Sequence, residues 1–272
     1  MPAAPADQST VAGASYAPST THWRRGSIDG VTNSLGTRLL HVDTGAELLV
    51  RNGRLVTGAQ YVGADRLVRR ELARMGAMFR LRERGLYHVH AAAVVGLDGR
   101  AWALTGDSGS GKSTLTYALA RRGWRVLGDD GVLVDPSGRA VRLRAWREPM
   151  RVSIELGEWF PELRERQDAV DWSDPRHRVP VQATIAREAP LAGLIVVRRG
   201  ERDVLRPLAP TEALASLIRQ SALVLVADAH APAHLAALQA CASQVPCVEL
   251  EHTSRQLQAM PATMDEISGA VG

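Results

Sequence analysis

The stretch from Thr105 to Thr114, TGDSGSGKST, contains a glycine, four further residues and then Gly-Lys-Ser. Its lysine, Lys112, is the only lysine in the chain, and every other member of a Lys+Arg total of 33 is arginine. An apolar segment that predicts a strand, Ala101 to Leu104, leads into the stretch, and a helical pattern follows it. This strand–loop–helix context is the one in which such a glycine pattern forms a phosphate-binding loop.

Phosphate chemistry accounts for these residue types. Glycines let backbone N–H groups converge on phosphate oxygens, and the start of the helix adds the positive end of its dipole. Lysine presents a compact ammonium that fits inside the loop, whereas arginine carries a broad planar head. A serine hydroxyl after the lysine is a ligand for the magnesium that accompanies ATP. The sequence therefore predicts an ATP and Mg²⁺ site formed by Gly106, Asp107, Ser108, Gly109, Ser110, Gly111, Lys112, Ser113 and Thr114.

Two adjacent carboxylates, Asp129 and Asp130, follow Lys112 by 17 and 18 positions, after one predicted helix and one predicted strand. Beside a phosphate loop, at the carboxyl end of a strand, such a pair can divide its work. One carboxylate holds the metal and the other accepts a proton from a hydroxyl group. An acidic turn without a catalytic role is the alternative, and the position next to the loop favours the catalytic interpretation.

The segment from His90 to Asp135, HAAAVVGLDGRAWALTGDSGSGKSTLTYALARRGWRVLGDDGVLVD, resembles the catalytic core of HPr kinase/phosphorylase and its kinase-only relatives. It is similar, more distantly, to the loop and Asp-Asp segment of ATP-dependent phosphoenolpyruvate carboxykinase. A weaker likeness in PLAPTEALASLI (207–218) and VPCVEL (245–250) extends the resemblance to half of the chain. The resemblance implies an α/β fold of the HPr kinase C-terminal-domain type, with a mixed central sheet, flanking helices and a small strand-rich N-terminal part. A carboxykinase is excluded because that fold needs a second large lobe.

The resemblance also implies roles for individual residues. Lys112 and Ser113 would hold the nucleotide and its metal. Asp130 would take the proton from an acceptor serine, and Asp129 would lie nearer the metal. These roles define an ATP-dependent serine kinase.

A histidine on the strand before the loop partners the catalytic carboxylate in the family that the segment resembles. Here that position is His90, which would orient Asp130, since a free aspartate is a weak base at neutral pH. His88 competes for the role, because residues two apart on one strand face the same side of the sheet.

The chain departs from the family pattern in two places. Thr114 stands where the family's loop commonly has glutamate. The segment RLRAWREPMRVS (142–153) replaces the Arg-Gly-rich signature of the phosphorylase reaction, so reversal by phosphorolysis is not expected. Arg144, Arg147 and Arg151 in this segment either clamp phosphate or acceptor, or form ordinary surface charge.

The acceptor is predicted from the resemblance alone. Relatives that do not act on HPr include kinases that phosphorylate a serine of a lasso-peptide precursor, so a peptide or small protein, with a ribosomally made precursor peptide foremost, is the predicted substrate and partner. A small-molecule kinase acting on free serine or a sugar, and a non-catalytic nucleotide sensor, are the alternatives. Relatives form hexamers, but the sequence itself leaves homo-oligomerisation and ATP-versus-GTP preference open.

Composition limits the other partners. Basic runs are no longer than pairs such as Arg198-Arg199, and only two Phe and four Tyr could stack on bases, so no nucleic-acid partner is predicted. No apolar run is long enough to span a membrane, and no signal peptide is recognisable, which predicts a cytoplasmic protein. Cys241 and Cys247 are expected to be buried thiols rather than a disulfide.

Three parts are predicted along the chain. Residues 1–22, rich in Ala, Pro, Ser and Thr, predict a disordered leader. Residues 23–85 predict short strands, with a hairpin at RNGR (51–54), and then an amphipathic helix. Residues 86–272 predict the P-loop kinase domain. The predicted apolar face of the helix comprises Leu67, Val68, Leu72, Met75, Met78, Phe79 and Leu81.

Within the kinase domain, several elements follow from the pattern. Residues 86–96 predict one strand, residues 211–226 one helix, and a polar helix begins at Ser254. Two further strands, one helix and a strand pair after the loop complete a mixed α/β pattern. Residues 141–190 give no clear pattern.

Overall fold

The computed structural model describes residues 20–146, 148–170 and 177–253. Contacts between residues divide the chain into two compact units. The first contains the chain up to Arg84 together with Val226–His230, and the second contains Gly85–Leu225 and the chain from Ala231 onward.

The sequence predicts the segment Val226–His230 within the kinase domain. In the structure, Val226 and Asp228 of this segment bind Arg82, and the segment belongs to the first unit. The Arg82 guanidinium donates to Oδ2 of Asp228 at 2.6 Å and to the carbonyl oxygen of Val226 at 3.1 Å. The Arg82 side chain is almost completely buried, so these bonds satisfy a charge that would otherwise be costly to remove from water.

The first unit is built on a five-stranded antiparallel sheet in which each strand pairs with the next along the chain. The hairpin predicted at residues 51–54 is present, with Asn52 and Gly53 in left-handed conformations at φ 50° and 70°. The first strand begins at Thr21, inside the predicted leader, because Thr21 pairs with Thr32; residues 1–19 lie outside the described residues. The strands are β1 (Thr21–Arg25), β2 (Ile28–Asn33), β3 (Gly36–His41), β4 (Glu47–Arg51) and β5 (Arg54–Thr57).

Two helices follow, α1 (Ala59–Gly63) and α2 (Arg66–Arg82). The Asp65 side chain caps α2 by accepting hydrogen bonds from the backbone N–H groups of Leu67 and Val68. The buried face of α2 is the predicted one with two corrections: Leu81 is only half-buried, and Leu67 is exposed. Leu67 is 75% exposed, because the buried stripe starts one residue later, at Val68.

A nine-stranded mixed sheet forms the second unit, which gives the mixed α/β architecture expected from the sequence. A separate two-stranded sheet pairs β12 with β13. The nine strands are β6 (Tyr87–Val89), β7 (Ala92–Val95), β8 (Ala101–Thr105), β9 (Arg125–Gly128), β10 (Val132–Asp135), β11 (Arg142–Ala145), β14 (Glu188–Arg199), β15 (Val204–Pro207) and β16 (Cys247–His252), and the separate pair is β12 (Arg151–Ser153) and β13 (Arg178–Pro180).

Strand directions bring several strand ends to one edge of this sheet. β8 is parallel to β14, β14 is parallel to β16, and β7 is antiparallel to both β8 and β9. The carboxyl ends of β8, β9, β14 and β16 therefore share an edge, which is where ligands bind in open α/β sheets. The glycine-rich loop that is predicted to bind phosphate, called the phosphate loop below, follows β8, and the acidic pair follows β9.

Helices cover both faces of the sheet. On one face, Leu115 of the helix that follows the loop packs with Leu104 of β8. On the other face, Leu217 and Leu238, from the next two helices along the chain, join a core that includes Leu194 of β14. The helices are α3 (Lys112–Arg121), α4 (Pro210–Gln220) and α5 (Ala231–Gln244), and 3-10 helices span Ile154–Glu158 and Pro161–Ala169.

One predicted strand is interrupted in the structure, and one predicted helix is shorter than expected. The strand predicted at 86–96 breaks between Val89 and Ala92, because the His90 N–H binds the carbonyl oxygen of Gln220 instead of a neighbouring strand. The helix predicted at 211–226 ends at Gln220. Ser221 is extended and its hydroxyl binds the carbonyl oxygen of His88, which draws the chain out of the helix. The helix predicted from Ser254 lies outside the described residues.

Both cysteines are free and buried, as predicted. Burial raises the pKa of Cys241 to about 12 and that of Cys247 to about 11, so both thiols remain protonated at neutral pH. No helix in the described ranges has the length and apolar character needed to cross a membrane.

Candidate active site

The phosphate loop, residues 106–111, connects β8 to α3. Gly106, Gly109 and Gly111 adopt φ values of 142°, 81° and 97°, which side-chain-bearing residues resist. Gly106 is also fixed by packing, since a Cβ atom there would lie 2.2 Å from the carbonyl oxygen of Val197. The predicted glycines therefore occupy positions that need glycine.

Lys112 is buried at the first turn of α3 and folds back over the loop. Its Nζ donates to the carbonyl oxygens of Gly106 at 2.7 Å and Asp107 at 2.9 Å. The Asp107 side chain accepts a hydrogen bond from Nε2 of Gln220 at 3.4 Å. The single lysine of the chain thus brings a compact positive charge to the phosphate loop.

Asp129 lies at the end of β9 and is buried. Its burial is the main reason that its pKa rises to about 6; repulsion from Asp130 raises it further, while hydrogen bonds from the Ser113 hydroxyl and the Arg151 backbone N–H lower it. The Arg151 N–H lies 3.4 Å from Oδ2 of Asp129. The structure thus brings together Ser113 and Asp129, the two residues that sequence predicted as metal ligands.

Asp130 is paired with the histidine that the resemblance selected. Nδ1 of His90 lies 3.3 Å from Oδ1 of Asp130 and 3.1 Å from its carbonyl oxygen. Each side chain is about one-third exposed, at 33% for His90 and 35% for Asp130. The pair is therefore open to a substrate, whereas Asp129 is enclosed.

His88 occupies a different environment. It is buried in β6, and its ring meets the Trp146 indole edge-on with centroids 4.7 Å apart. It also packs against Gly131, where a Cβ atom would lie 2.4 Å from Nε2 of His88. The prediction that His88 and His90 face the same side of one strand is wrong, because β6 ends at Val89 and His90 lies outside it.

Unpaired polar atoms at this edge of the sheet bear on its fit to a nucleoside triphosphate and a divalent metal. Within the described residues, Ser110 Oγ and Asp129 Oδ1 are buried without a hydrogen-bond partner. The positive-φ glycines and the start of α3 form an anion cradle beside them. The residues fit both groups. The described ranges contain no cluster of three or more His, Cys, Asp or Glu side chains for a metal. Ser113 and Asp129 would hold Mg²⁺, which prefers oxygen ligands.

The remaining predicted loop residues lie at the rim or against the helix. Ser108 is exposed, and Thr114 is half-buried in the first turn of α3.

Arg144 and Arg151, two of the three arginines considered as clamps, lie in β11 and β12 and not in the phosphate loop. Arg144 forms ion pairs with Asp135 at 2.7 Å and Glu188 at 3.3 Å, so it stabilises neighbouring strands. Arg151 lies in β12 and contributes its backbone N–H to Asp129. Arg147 lies outside the described residues.

Sequence reasoning missed a group of arginines beside the loop. A cleft of about 700 Å³ is lined by the phosphate loop, by Arg198 and Arg199 at the end of β14, and by Arg219 of α4. Arg198 Nε lies 2.9 Å from Oε2 of the buried Glu249, which fixes this side of the cleft. The sequence contains a signal for this group of arginines, because an arginine pair ends a buried apolar strand at the sheet edge where ligands bind.

No protein-family model and no curated protein sequence matches the chain. Solved structures do match, among them the HPr(Ser) kinase/phosphatase from Coxiella burnetii, which is 12% identical and superposes with a TM-score of 0.35 over 67% of this chain and 96% of that chain. The TM-score is too low to transfer an activity, and the chemistry is therefore inferred from the site residues themselves.

Proposed function

We propose that this chain is an ATP-dependent serine kinase that transfers the γ-phosphate to a serine hydroxyl of a peptide or small protein. A ribosomally made precursor peptide of the lasso type is the foremost specific acceptor. One observation carries the proposal: the partly exposed His90–Asp130 pair, and buried Asp129 next to half-buried Ser113, lie at the same sheet edge as a loop closed by Lys112.

Bound ATP would supply the phosphoryl group, and Mg²⁺ would neutralise charge on its phosphates. The phosphate loop would hold the phosphates through its backbone N–H groups and Lys112. Asp130, oriented by His90, would accept the proton of the acceptor hydroxyl as its oxygen bonds to the γ-phosphorus and the bond to the bridging oxygen breaks. ADP leaves with the electrons of that bond, and the proton remains on Asp130 until water removes it.

The size of the cleft beside Asp129 favours a peptide over a free amino acid. A cleft of about 1180 Å³ runs along β9 and is lined by Asp129, Trp146, Met150 and Ile185 among others. Ile185 is 61% exposed, which leaves apolar surface available to an acceptor. A free serine would fill little of this space, whereas an extended peptide would fill more of it and pass Asp129, the chain neighbour of Asp130.

The test uses γ-labelled ATP with Mg²⁺ and compares wild type with Lys112→Ala and Lys112→Arg. Acceptors are a serine-containing peptide set, proteins and small molecules, separated after reaction. The expected result is label on serine of a peptide or protein with wild type only. Lys112→Arg should fail as well, because it keeps the charge but not the compact shape.

The other outcomes separate the alternatives. Lysine-dependent label found only in the small-molecule fraction would replace the proposal with a metabolite kinase. Tight ATP binding without transfer to any acceptor would favour a nucleotide sensor. Transfer that survives Lys112→Ala would show that the phosphate loop does not serve this reaction.

A further inference from the structure

His252, at the end of β16, is fully buried and touches the phosphate loop. Its Nε2 lies 2.6 Å from the carbonyl oxygen of Ser110, and its Nδ1 lies 3.2 Å from the carbonyl oxygen of Thr253. Both partners are carbonyl oxygens, which only accept hydrogen bonds, so a proton on the imidazole ring must be the donor. The shorter contact assigns that proton to Nε2, which then donates to the loop.

This hydrogen bond controls the direction of a neighbouring N–H group. The carbonyl of Ser110 and the N–H of Gly111 belong to one planar trans peptide group, so they point in opposite directions. Because the carbonyl is held toward His252, the Gly111 N–H is turned away from β16. Gly111 directly precedes α3, where backbone N–H groups are available to an anion.

His252 is itself held from both sides. Its carbonyl oxygen accepts a hydrogen bond from the Gly200 N–H at 3.0 Å. The next residue, Thr253, donates its backbone N–H to Oδ1 of Asp203 at 2.8 Å. The imidazole therefore projects from a fixed strand end, which suits it to fix a loop whose glycines allow many conformations.

We propose that His252 is a positioning residue that orients the Ser110–Gly111 peptide group for phosphate binding. The inference rests on the proposed function only in that the loop binds nucleotide phosphates. His252 acts through the carbonyl oxygen of Ser110, and its loss is expected to weaken nucleotide binding rather than to remove the proton acceptor.

The test compares His252→Leu, which loses the donor, with His252→Gln, whose amide nitrogen can reach the same oxygen. Hydrogen exchange of residues 106–111 is measured in the ligand-free protein, and the Kd for Mg·ATP is measured separately. His252→Leu should speed exchange at Gly111 and raise the Kd about tenfold, whereas His252→Gln should restore most of both. His41→Leu, which removes a buried histidine from the first unit, is the control and should leave the Kd unchanged.

A third variant covers the case in which His252→Leu does not fold. Asp203→Ala removes an exposed support of Thr253 and should raise the Kd about threefold with faster loop exchange. Unchanged exchange in the folded variants, or faster exchange with an unchanged Kd, would overturn the positioning role. If the wild type binds ATP normally but transfers no phosphate to any acceptor, the kinase proposal is contradicted. The positioning role of His252 would still stand in that case.

Discussion

The phosphate loop and the acidic turn at Asp129–Asp130 lie at the same edge of the sheet, but contacts of different range hold them. The loop is closed largely by its own neighbours, since Lys112 binds carbonyl oxygens five and six positions before it. Asp130 meets His90 from 40 positions earlier, and Asp129 meets Arg151 from 22 positions later. The closure of the loop by Lys112 is therefore local, although His252 and Val197 also contact the loop from distant positions, whereas the environments of the two carboxylates come from tertiary structure alone.

The two carboxylates also differ from each other. Asp129 is buried and has a raised pKa, while the Asp130 side chain is 35% exposed beside a histidine. Adjacent positions in a turn thus give an enclosed acid suited to a metal and an open one suited to a substrate hydroxyl. Substitutions in the loop and in the turn should consequently alter different properties.

The largest expected effect is on turnover. Asp130→Asn should lower kcat by about 10³-fold, because it removes the proton acceptor, while the Kd for ATP stays near the wild-type value. Steady-state kinetics and equilibrium binding check both parts. Asp98→Asn, in the exposed turn between β7 and β8, is the control and should change neither; near-normal turnover in Asp130→Asn would make the assignment wrong.

Adding a methyl group at a glycine of the phosphate loop should lower the free energy of unfolding as well as weaken nucleotide binding. Gly106→Ala places Cβ 2.2 Å from the Val197 carbonyl oxygen at φ 142°, and the strain should lower the free energy of unfolding by about 3–4 kcal/mol. Gly109→Ala is the matched control: it has φ 81° with no atom within 4 Å, so only the conformational cost of about 1 kcal/mol is expected. Denaturant unfolding measures both, and equal losses would contradict the packing argument.

The buried carboxylate should make stability depend on pH. The pKa of Asp129 is about 6 in the folded protein and has an ordinary value of 3.8, so the folded state binds the proton more tightly. Its stabilising contribution is complete below pH ~4 and is lost as pH rises through about 6. Without Mg²⁺, the Asp129→Asn variant should therefore not lose stability over this pH range. At pH 7 it should be more stable than the wild type by on the order of 3 kcal/mol.

Unfolding is measured from pH 4 to 8 for wild type and Asp129→Asn, each with and without Mg²⁺ and ATP. The two ligands together should stabilise the wild type more than the variant, because the ionised carboxylate then has a cation to bind. A decline of the same size in both proteins would assign it to another group.

The difference in contact range also explains what sequence could predict. The glycine pattern, the lysine and the strand and helix on either side specify the loop locally, so its place in the fold followed from them. The Asn52-Gly53 hairpin was predicted for the same reason, because it has a short-range pattern. The mixed sheet, in contrast, was expected from the family resemblance.

Features that depend on distant partners were missed. His90 interrupts a predicted strand because its N–H binds Gln220, and Ser221 ends a predicted helix because its hydroxyl binds His88. His252 gave no signal as a loop contact, since its partner Ser110 is 142 positions away. Periodicity reports which face of an element is apolar, but not which remote polar group will compete for its backbone.

The smallest expected effect distinguishes the two histidines beside the acidic turn. His90→Ala should lower kcat about tenfold with little change in thermal stability, because a half-exposed side chain that orients Asp130 is lost. His88→Ala should instead lower the melting temperature, because it leaves a cavity between Trp146 and Gly131. Melting curves and kcat are measured for both variants. The reverse pattern would identify His88 as the residue that serves the acidic pair, and the long-range contact between His90 and Asp130 would then be structural.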